Sequence, residues 1–167
     1  MSIYDLHRIS NSEFTYLGRG DYATVFVDKA RGRVRKVFRV RRGKNCHTKN
    51  VFLAECEAYK IANGIPKIKS ITPKLFCFPK GLQITDYEGN DVTAFYHPDM
   101  VLEIEFIAGS FKKVGEFRSV LTSEIESIFK SAGICHLSDM SFVLRNDGSP
   151  VFIDFATKEI ELNGEIF

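Results

Sequence analysis

Apolar and polar residues alternate with a period of two from residue 13 to residue 40, the spacing of half-buried strands. The pattern predicts strands over Glu13–Leu17, Ala23–Asp28 and Arg33–Val40, separated by the turns Gly18-Arg19-Gly20-Asp21 and Lys29-Ala30-Arg31-Gly32. In the third strand Val34, Lys36, Phe38 and Val40 share one face. Arg33, Arg35, Arg39 and Arg41 share the other, with Val37 among them, and form an outer, solvated face. The period then changes to that of a helix. Val51, Phe52, Ala58, Tyr59 and Ala62 make one stripe, predicting a helix over Asn50–Asn63 that Asn63-Gly64 closes.

Two more strands, Lys74–Phe78 and Val101–Ile107, flank a turn-rich insert containing Glu88-Gly89-Asn90-Asp91, and Ala108-Gly109-Ser110 reads as a linker. A second helix is predicted over Phe117–Ala132, with Val120, Leu121, Ile125, Ile128, Phe129 and Ala132 inward and Gly133 at its end. A hairpin follows, Phe142–Arg145 and Val151–Ile153 around Asn146-Asp147-Gly148-Ser149, and runs into Asp154. The order of elements predicts an α+β fold: one domain over 1–167 with two unequal lobes. The larger (1–107) is an antiparallel sheet with one helix; the smaller (110–167) is one helix and the hairpin.

With 44% hydrophobic residues and 15 Phe the chain can bury a core, and a net charge of +2 does not itself call for a polyanionic partner. Cys46, Cys56, Cys77 and Cys135 form no C-x-x-C pair, which argues against a zinc site or disulfide framework and fits a reducing compartment. The neighbours Cys46–His47 and Cys135–His136 seldom suit one ion, because adjacent side chains diverge. The polar start MSIYDLHRIS has no apolar stretch of leader length and no later run is long enough to span a bilayer. The expectation is a cytoplasmic chain without a membrane partner.

Three features carry candidate chemistry. Gly18-x-Gly20-x-x-Ala23-x-Val25 is a glycine-rich turn between strands, where the backbone can approach phosphate oxygens closely. Lys36 sits on an apolar strand face, where an ammonium needs an anion or a route out to solvent at the sheet edge. Glu55 lies in the buried stripe of the following helix with the opposite need. The two requirements meet if Lys36 and Glu55 pair, with Glu57 the fallback partner.

These features, with Val34-Arg35-Lys36-Val37, Val101-Leu102-Glu103-Ile104-Glu105-Phe106-Ile107-Ala108-Gly109, His136-Leu137-Ser138-Asp139 and Ile153-Asp154-Phe155-Ala156, stand in the order of the protein-kinase family, which the chain resembles from residue 14 to residue 156. The resemblance implies ATP and Mg²⁺ as cofactors, bound between the lobes. It implies that Gly18, Gly20, Ala23 and Val25 cover the nucleotide, that Lys36 holds its α- and β-phosphates and that Asp154 binds Mg²⁺. Asp139 would orient the accepting hydroxyl or take its proton. Glu105 and Ile107 would present backbone groups to adenine, with Ile104 at the gatekeeper position.

The chain also departs from the family pattern. Ala23 replaces the third loop glycine, and Ala156 the glycine of Asp-Phe-Gly. Two residues separate His136 from Asp139 where the family has one. Phe142 or Val143 falls where the family has asparagine, leaving Ser141 and Asn146 as candidate metal ligands. Eleven residues follow Ala156, so the resemblance is to the reduced kinases that bacterial pathogens use as effectors. It implies a monomeric serine/threonine kinase acting on a protein substrate of the host, in whose cell it would then reside. If Ser138 takes the place of the catalytic aspartate, the chain is a pseudokinase that binds nucleotide without transfer. From another class comes a nucleic-acid-binding module, since Arg31–Lys49 holds nine basic residues, but Phe38 is the one aromatic among them and points inward.

Overall fold

The computed structural model describes residues 2–117 and 119–158. The chain forms two compact units: Met1–Phe52 with Phe76–Phe106, and Leu53–Leu75 with Ile107–Phe167. The fold is mixed α+β, with a curled antiparallel sheet and three helices among the described residues. The chain crosses between units at Phe106–Ile107, next to the expected linker, and again within the first helix and at residue 75.

In chain order the strands are β1 (His7–Ile9), β2 (Thr15–Arg19), β3 (Ala23–Asp28), β4 (Arg33–Arg39), β5 (Leu75–Cys77), β6 (Ile84–Asp86) and β7 (Tyr96–Glu105). They form one sheet in the order β5-β7-β4-β3-β2-β1-β6. The alternation reading located β2, β3 and β4 to within two residues. It missed β1 and β6, three-residue strands too short to show a period, which pair with each other (His7 opposite Asp86, Ile9 opposite Ile84). β7 begins five residues before the expected Val101.

β3 and β4 are covered on both faces, which accounts for their apolar residues at consecutive positions. One face carries Ala23, Val25, Val27, Val34, Lys36, Phe38, Leu102 and Ile104, matched strand to strand by the register. Phe52 packs edge-on against Phe38 there, with ring centroids 5.2 Å apart. The other face holds a core of Ile9, Phe14, Phe26, Val37, Ile84, Tyr96 and Val101.

That second face corrects the expectation of a solvated arginine surface. Glu103 stands opposite Arg35 and is 1% exposed. Its carboxylate accepts from Arg33 Nη1 at 2.6 Å and from Arg35 Nε at 2.7 Å. Each guanidinium lies 4.3 Å from an aromatic ring centre, Arg33 over Phe76 and Arg35 over Phe14. The arginines line a buried carboxylate because the strand that follows them in the sheet supplies one at the matching register. Val40, expected inward, is exposed: the β4–β7 pairing shifts between Val37 and Arg39, and the strand ends there.

The helices are α1 (Asn45–Gly64), α2 (Pro66–Lys69) and α3 (Val120–Ser131). α1 starts five residues before the expected Asn50. Gly64 is its last helical residue without a left-handed φ. The stop comes from Pro66, which drives Ile65 into extended backbone (φ −108°, ψ 112°). Asn63 then ties the helix end down: its Nδ2 donates to Tyr59 O and Pro73 O, and its Oδ1 accepts from Leu75 N–H.

α3 is shorter than expected because Ser119 caps it, its side chain accepting from Thr122 N–H. Ile125 and Phe129 are buried as the period predicted, and Ile128 and Ala132 partly so. Val120 and Leu121, in the first turn, are exposed instead. Gly133, at φ 83°, ends α3 as expected, with Ile134 N–H on Phe129 O. Then β8 (Lys112–Lys113), β9 (Ser141–Leu144) and β10 (Pro150–Ile153) make a small antiparallel sheet in the order β10-β9-β8. The hairpin was legible; β8, two residues long, was not.

Burial alone would raise the pKa of Glu103, but the hydrogen bonds and charges of Arg35 and Arg33 outweigh it and hold the carboxyl below its usual range. A carboxylate depressed in the folded state contributes stability above its unfolded pKa and loses it as pH falls through the folded one. Glu103→Gln is expected to destabilise the protein by about 2–3 kcal/mol at pH 7, since two guanidiniums lose a charged partner. Denaturant unfolding at several pH values checks this: the gap between variant and parent should narrow as pH falls below about 4.

Candidate functional site

In the first unit the register collects most of the expected site residues on one face. Gly18, Val25, Lys36 and Leu102 are successive partners across β2, β3, β4 and β7, and Val34 pairs with Ile104 in the neighbouring row. Lys36 is therefore central in the sheet, between Val25 and the fully buried Leu102, and not at an edge where it could snorkel freely. Its ammonium lies 6.0 Å from the centre of the Phe38 ring. Ala23 is 1% exposed and its carbonyl accepts from Gly20 N–H at 2.9 Å, closing the turn. Glu105 falls on the opposite face, paired with Arg33. Because Phe106 N–H bonds Gly32 O, the main-chain groups of Glu105 point to the other side of the strand. Ile107, after the strand, is half-buried in the second unit.

The glycine-rich turn is held from below. Arg39 Nη2 donates to Gly20 O and, at 2.9 Å, to Asp21 O, while Arg39 N–H bonds Tyr22 O at 2.8 Å. Tyr22 Oη meets His47 Nε2 at 3.0 Å, and Arg41 lies over the Tyr22 ring at 4.7 Å. Burial, then the charges of Arg41 and Lys44, lower the His47 pKa, so the ring is neutral at pH 7. The basic run that suggested a nucleic-acid stripe is largely engaged inside the unit.

Gly18 and Gly20 have no internal reason to be glycine. Neither has a left-handed φ, and a Cβ added at either would meet nothing within 4 Å. Gly109 contrasts with both: its φ is 139°, and an added Cβ would lie 2.5 Å from Val143 Cγ2. Open space beside a paired, unstrained backbone is what close approach by an outside group needs.

In the second unit, α1 places Glu55 inward (6% exposed) and Glu57 outward, where it lies 3.8 Å from Lys60. Tyr59, one turn on, is 1% exposed and stacks on Phe155 at 4.6 Å. Burial pushes its hydroxyl pKa far up, and the charges of Glu55 and Asp154 add to the effect. Two of the expected acids thus lie close enough to Tyr59 to act on one hydroxyl.

The hairpin brings in the third. Ser141 pairs with Ile153, and His136 forms a further antiparallel bridge with Ala156. Between these rungs one side of the ladder holds residues 137–140 and the other Asp154 and Phe155, so Asp139 and Asp154 occupy the two sides of one gap. The Asp139 side chain is 72% exposed, 3.4 Å from His136 Nε2, and its main-chain oxygen accepts from Lys113 Nζ at 2.8 Å. Asp154 has φ 62°, a left-handed conformation costly for a side chain other than glycine. Ser141 lies at this end of the hairpin, whereas Asn146 lies in the turn, about 13 Å of strand away, too far to share an ion with Asp154. Among the described residues no three His, Cys, Asp or Glu side chains come together as a metal cage.

Two groups escaped the sequence reading. Glu103 lies inside the expected strand Val101–Ile107, where alternation only sets it on the face opposite Leu102 and Ile104. Tyr59 belongs to the expected buried stripe that also holds Glu55, and nothing in its spacing marks its hydroxyl.

Gly18→Ala and Gly20→Ala should keep the melting temperature or raise it, by up to about 1 kcal/mol of stability from a less flexible unfolded chain. Gly109→Ala should lower it, and thermal unfolding of the three variants checks the contrast. Among the described residues no helix is long and apolar enough to cross a membrane. No protein-family model matches the chain, and neither does any curated protein or solved structure, so its chemistry is read from its own residues.

Proposed function

We propose that the chain is an ATP- and Mg²⁺-dependent phosphotransferase of reduced protein-kinase type. The observation that carries this reading is Asp154: a carboxylate in strained left-handed backbone at the open end of a hairpin, next to a phenylalanine sealed into the core. A strand end needs no such strain; a residue that must present its carboxylate in a fixed direction does.

The donor set suits the cofactors. Mg²⁺ keeps several waters and takes one or two carboxylates together with phosphate oxygens, so a site with few protein ligands is its usual kind. The open flank of Gly18 and Gly20 leaves room for a phosphate chain. In this reading Lys36 holds the α- and β-phosphates, and Ala23, Val25 and Ile104 line the base side. The main chain at Glu105 and Ile107 contacts adenine. Asp154, with Ser141 beside it, holds Mg²⁺, which neutralises charge on the phosphoryl group when bound. Asp139, exposed beside a histidine, orients the acceptor hydroxyl and takes its proton. The resemblance to bacterial effector kinases makes a serine or threonine of a host protein the acceptor.

Melting temperature with and without ATP and Mg²⁺, followed by incubation with labelled ATP, tests the assignments. The parent should be stabilised by the pair of ligands. Lys36→Met should lose that stabilisation and keep its fold; Asp154→Asn should lose the magnesium-dependent part. Asp139→Asn should bind as before and transfer at least about 100-fold more slowly. Unchanged ATP stabilisation in Lys36→Met refutes its role, and an unchanged transfer rate in Asp139→Asn refutes that of Asp139. Binding without transfer in the parent leaves a pseudokinase.

A further inference from the structure

One residue, Arg39, holds three successive carbonyls of the glycine-rich turn. Its Nη2 donates to Gly20 O and, at 2.9 Å, to Asp21 O, and its N–H bonds Tyr22 O at 2.8 Å. In a trans peptide the carbonyl oxygen and the N–H that follows it point in opposite directions. The N–H groups of Asp21 and Tyr22 share peptide planes with the Gly20 and Asp21 carbonyls, so they are turned away from the guanidinium. Carbonyl oxygens repel a phosphate and amide hydrogens attract it, so the grip of Arg39 decides which of the two the turn offers.

That grip needs a second hold, because Arg39 Nε is buried with no hydrogen-bond partner among the described residues. An aromatic ring supplies it. The Arg39 guanidinium lies 5.0 Å from the centre of the Tyr4 ring, and that of Arg19, the residue before Gly20, lies 5.6 Å from the same centre. Tyr4 belongs to a single 3₁₀ turn, Ile3–Leu6, that its own ends lock. Ser2 Oγ accepts from Tyr4 N–H, and Asp5 Oδ2 accepts from Ser2 N–H at 2.8 Å. The Tyr4 ring stands edge-to-face with His7, Phe95 and Tyr96, on the core of the sheet's second face. His7 and Tyr96 are themselves joined, Nδ1 to Oη at 2.8 Å. An anchored ring therefore sits where both guanidiniums end.

We infer that Tyr4 is a positioning residue, whose ring steadies the Arg39 guanidinium and thereby keeps the carbonyls of the glycine-rich turn drawn away from a bound phosphate. The consequence for ATP rests on the phosphotransferase reading; the hold on the turn does not. Tyr4 acts through Arg39 and does not itself contact nucleotide. The guanidinium meets the ring and not the hydroxyl. Phenylalanine should therefore serve at position 4, and leucine, which is apolar but has no π face, should not.

Two readouts on Tyr4→Leu test the inference, with Tyr4→Phe as the conservative control. The first is solvent exchange of the Gly20 and Arg39 amides, which close the turn, followed by nuclear magnetic resonance without nucleotide. It should quicken about three- to tenfold in Tyr4→Leu and keep the parent rate in Tyr4→Phe, while core amides such as Phe26 stay protected. The second is the dissociation constant from calorimetry. It should rise about three- to tenfold for ATP with Mg²⁺ and stay unchanged for adenosine, which has no phosphate. Arg39→Lys keeps the charge without the planar fork and should give the same two changes; it carries both tests if Tyr4→Leu does not fold. Parent-like exchange in Tyr4→Leu overturns the hold on the turn. Faster exchange with unchanged ATP affinity, or with an equal loss for adenosine, overturns the positioning role. If the parent itself binds no ATP, the phosphotransferase reading fails and the positioning role with it, while the exchange result still decides the hold.

Discussion

The carboxylate of Glu103, almost wholly buried and held by Arg33 and Arg35, is the interaction on which the first unit's arrangement depends. Leaving either a carboxylate or two guanidiniums unpaired in that face is costly, so β4 and β7 are locked at the register that brings them together. Strand alternation does the rest. With Glu103 and Arg35 on one face, Leu102, Ile104 and Lys36 must lie on the other, and β3 adds Ala23 and Val25 to them. A slip of one residue would send Lys36 into the aromatic core beside Phe14 and Tyr96. The ion cluster and the proposed nucleotide face are two sides of one constraint.

The second unit solves a related problem with neutral partners. Its hairpin ends in a gap between two rungs, and the segment that leaves the gap is secured by α1: Thr157 on Ala54 and Phe155 on Tyr59. Asp139, on the opposite side of the gap, is instead exposed and lightly held. An exposed aspartate and one set in left-handed backbone at the same opening match the different tasks proposed for them, acceptance of a proton from an incoming hydroxyl and metal binding.

Much of this was legible in the amino-acid sequence wherever one face of an element is apolar. β3, β4 and the Val51-to-Ala62 stripe of α1 follow from period, the β9–β10 hairpin follows from its Asn146-Asp147-Gly148-Ser149 turn, and the odd positions of Lys36 and Glu55 stand out against that background. The sequence was misleading where both faces are buried. Arg33 and Arg35 look like a solvated face until a distant strand supplies Glu103, a pairing that no local pattern encodes. Very short strands such as β1 and β6 exist only through their partner. The stacking of Tyr59 on Phe155 depends on where a hairpin nearly a hundred residues later ends. Val120 and Leu121 fit the helical period yet stay exposed, because the period says which residues share a stripe and not how far the stripe is covered.

Hydrogen–deuterium exchange on adding ATP with Mg²⁺ tests the central claim most directly, because it reads each proposed ligand-binding segment in one sample without a known acceptor. The account predicts increased protection in the peptides spanning Gly18–Ala23 and Ile153–Ala156, with β1 and β6 unchanged. Identical exchange in both peptides at saturating ATP and Mg²⁺ would contradict it.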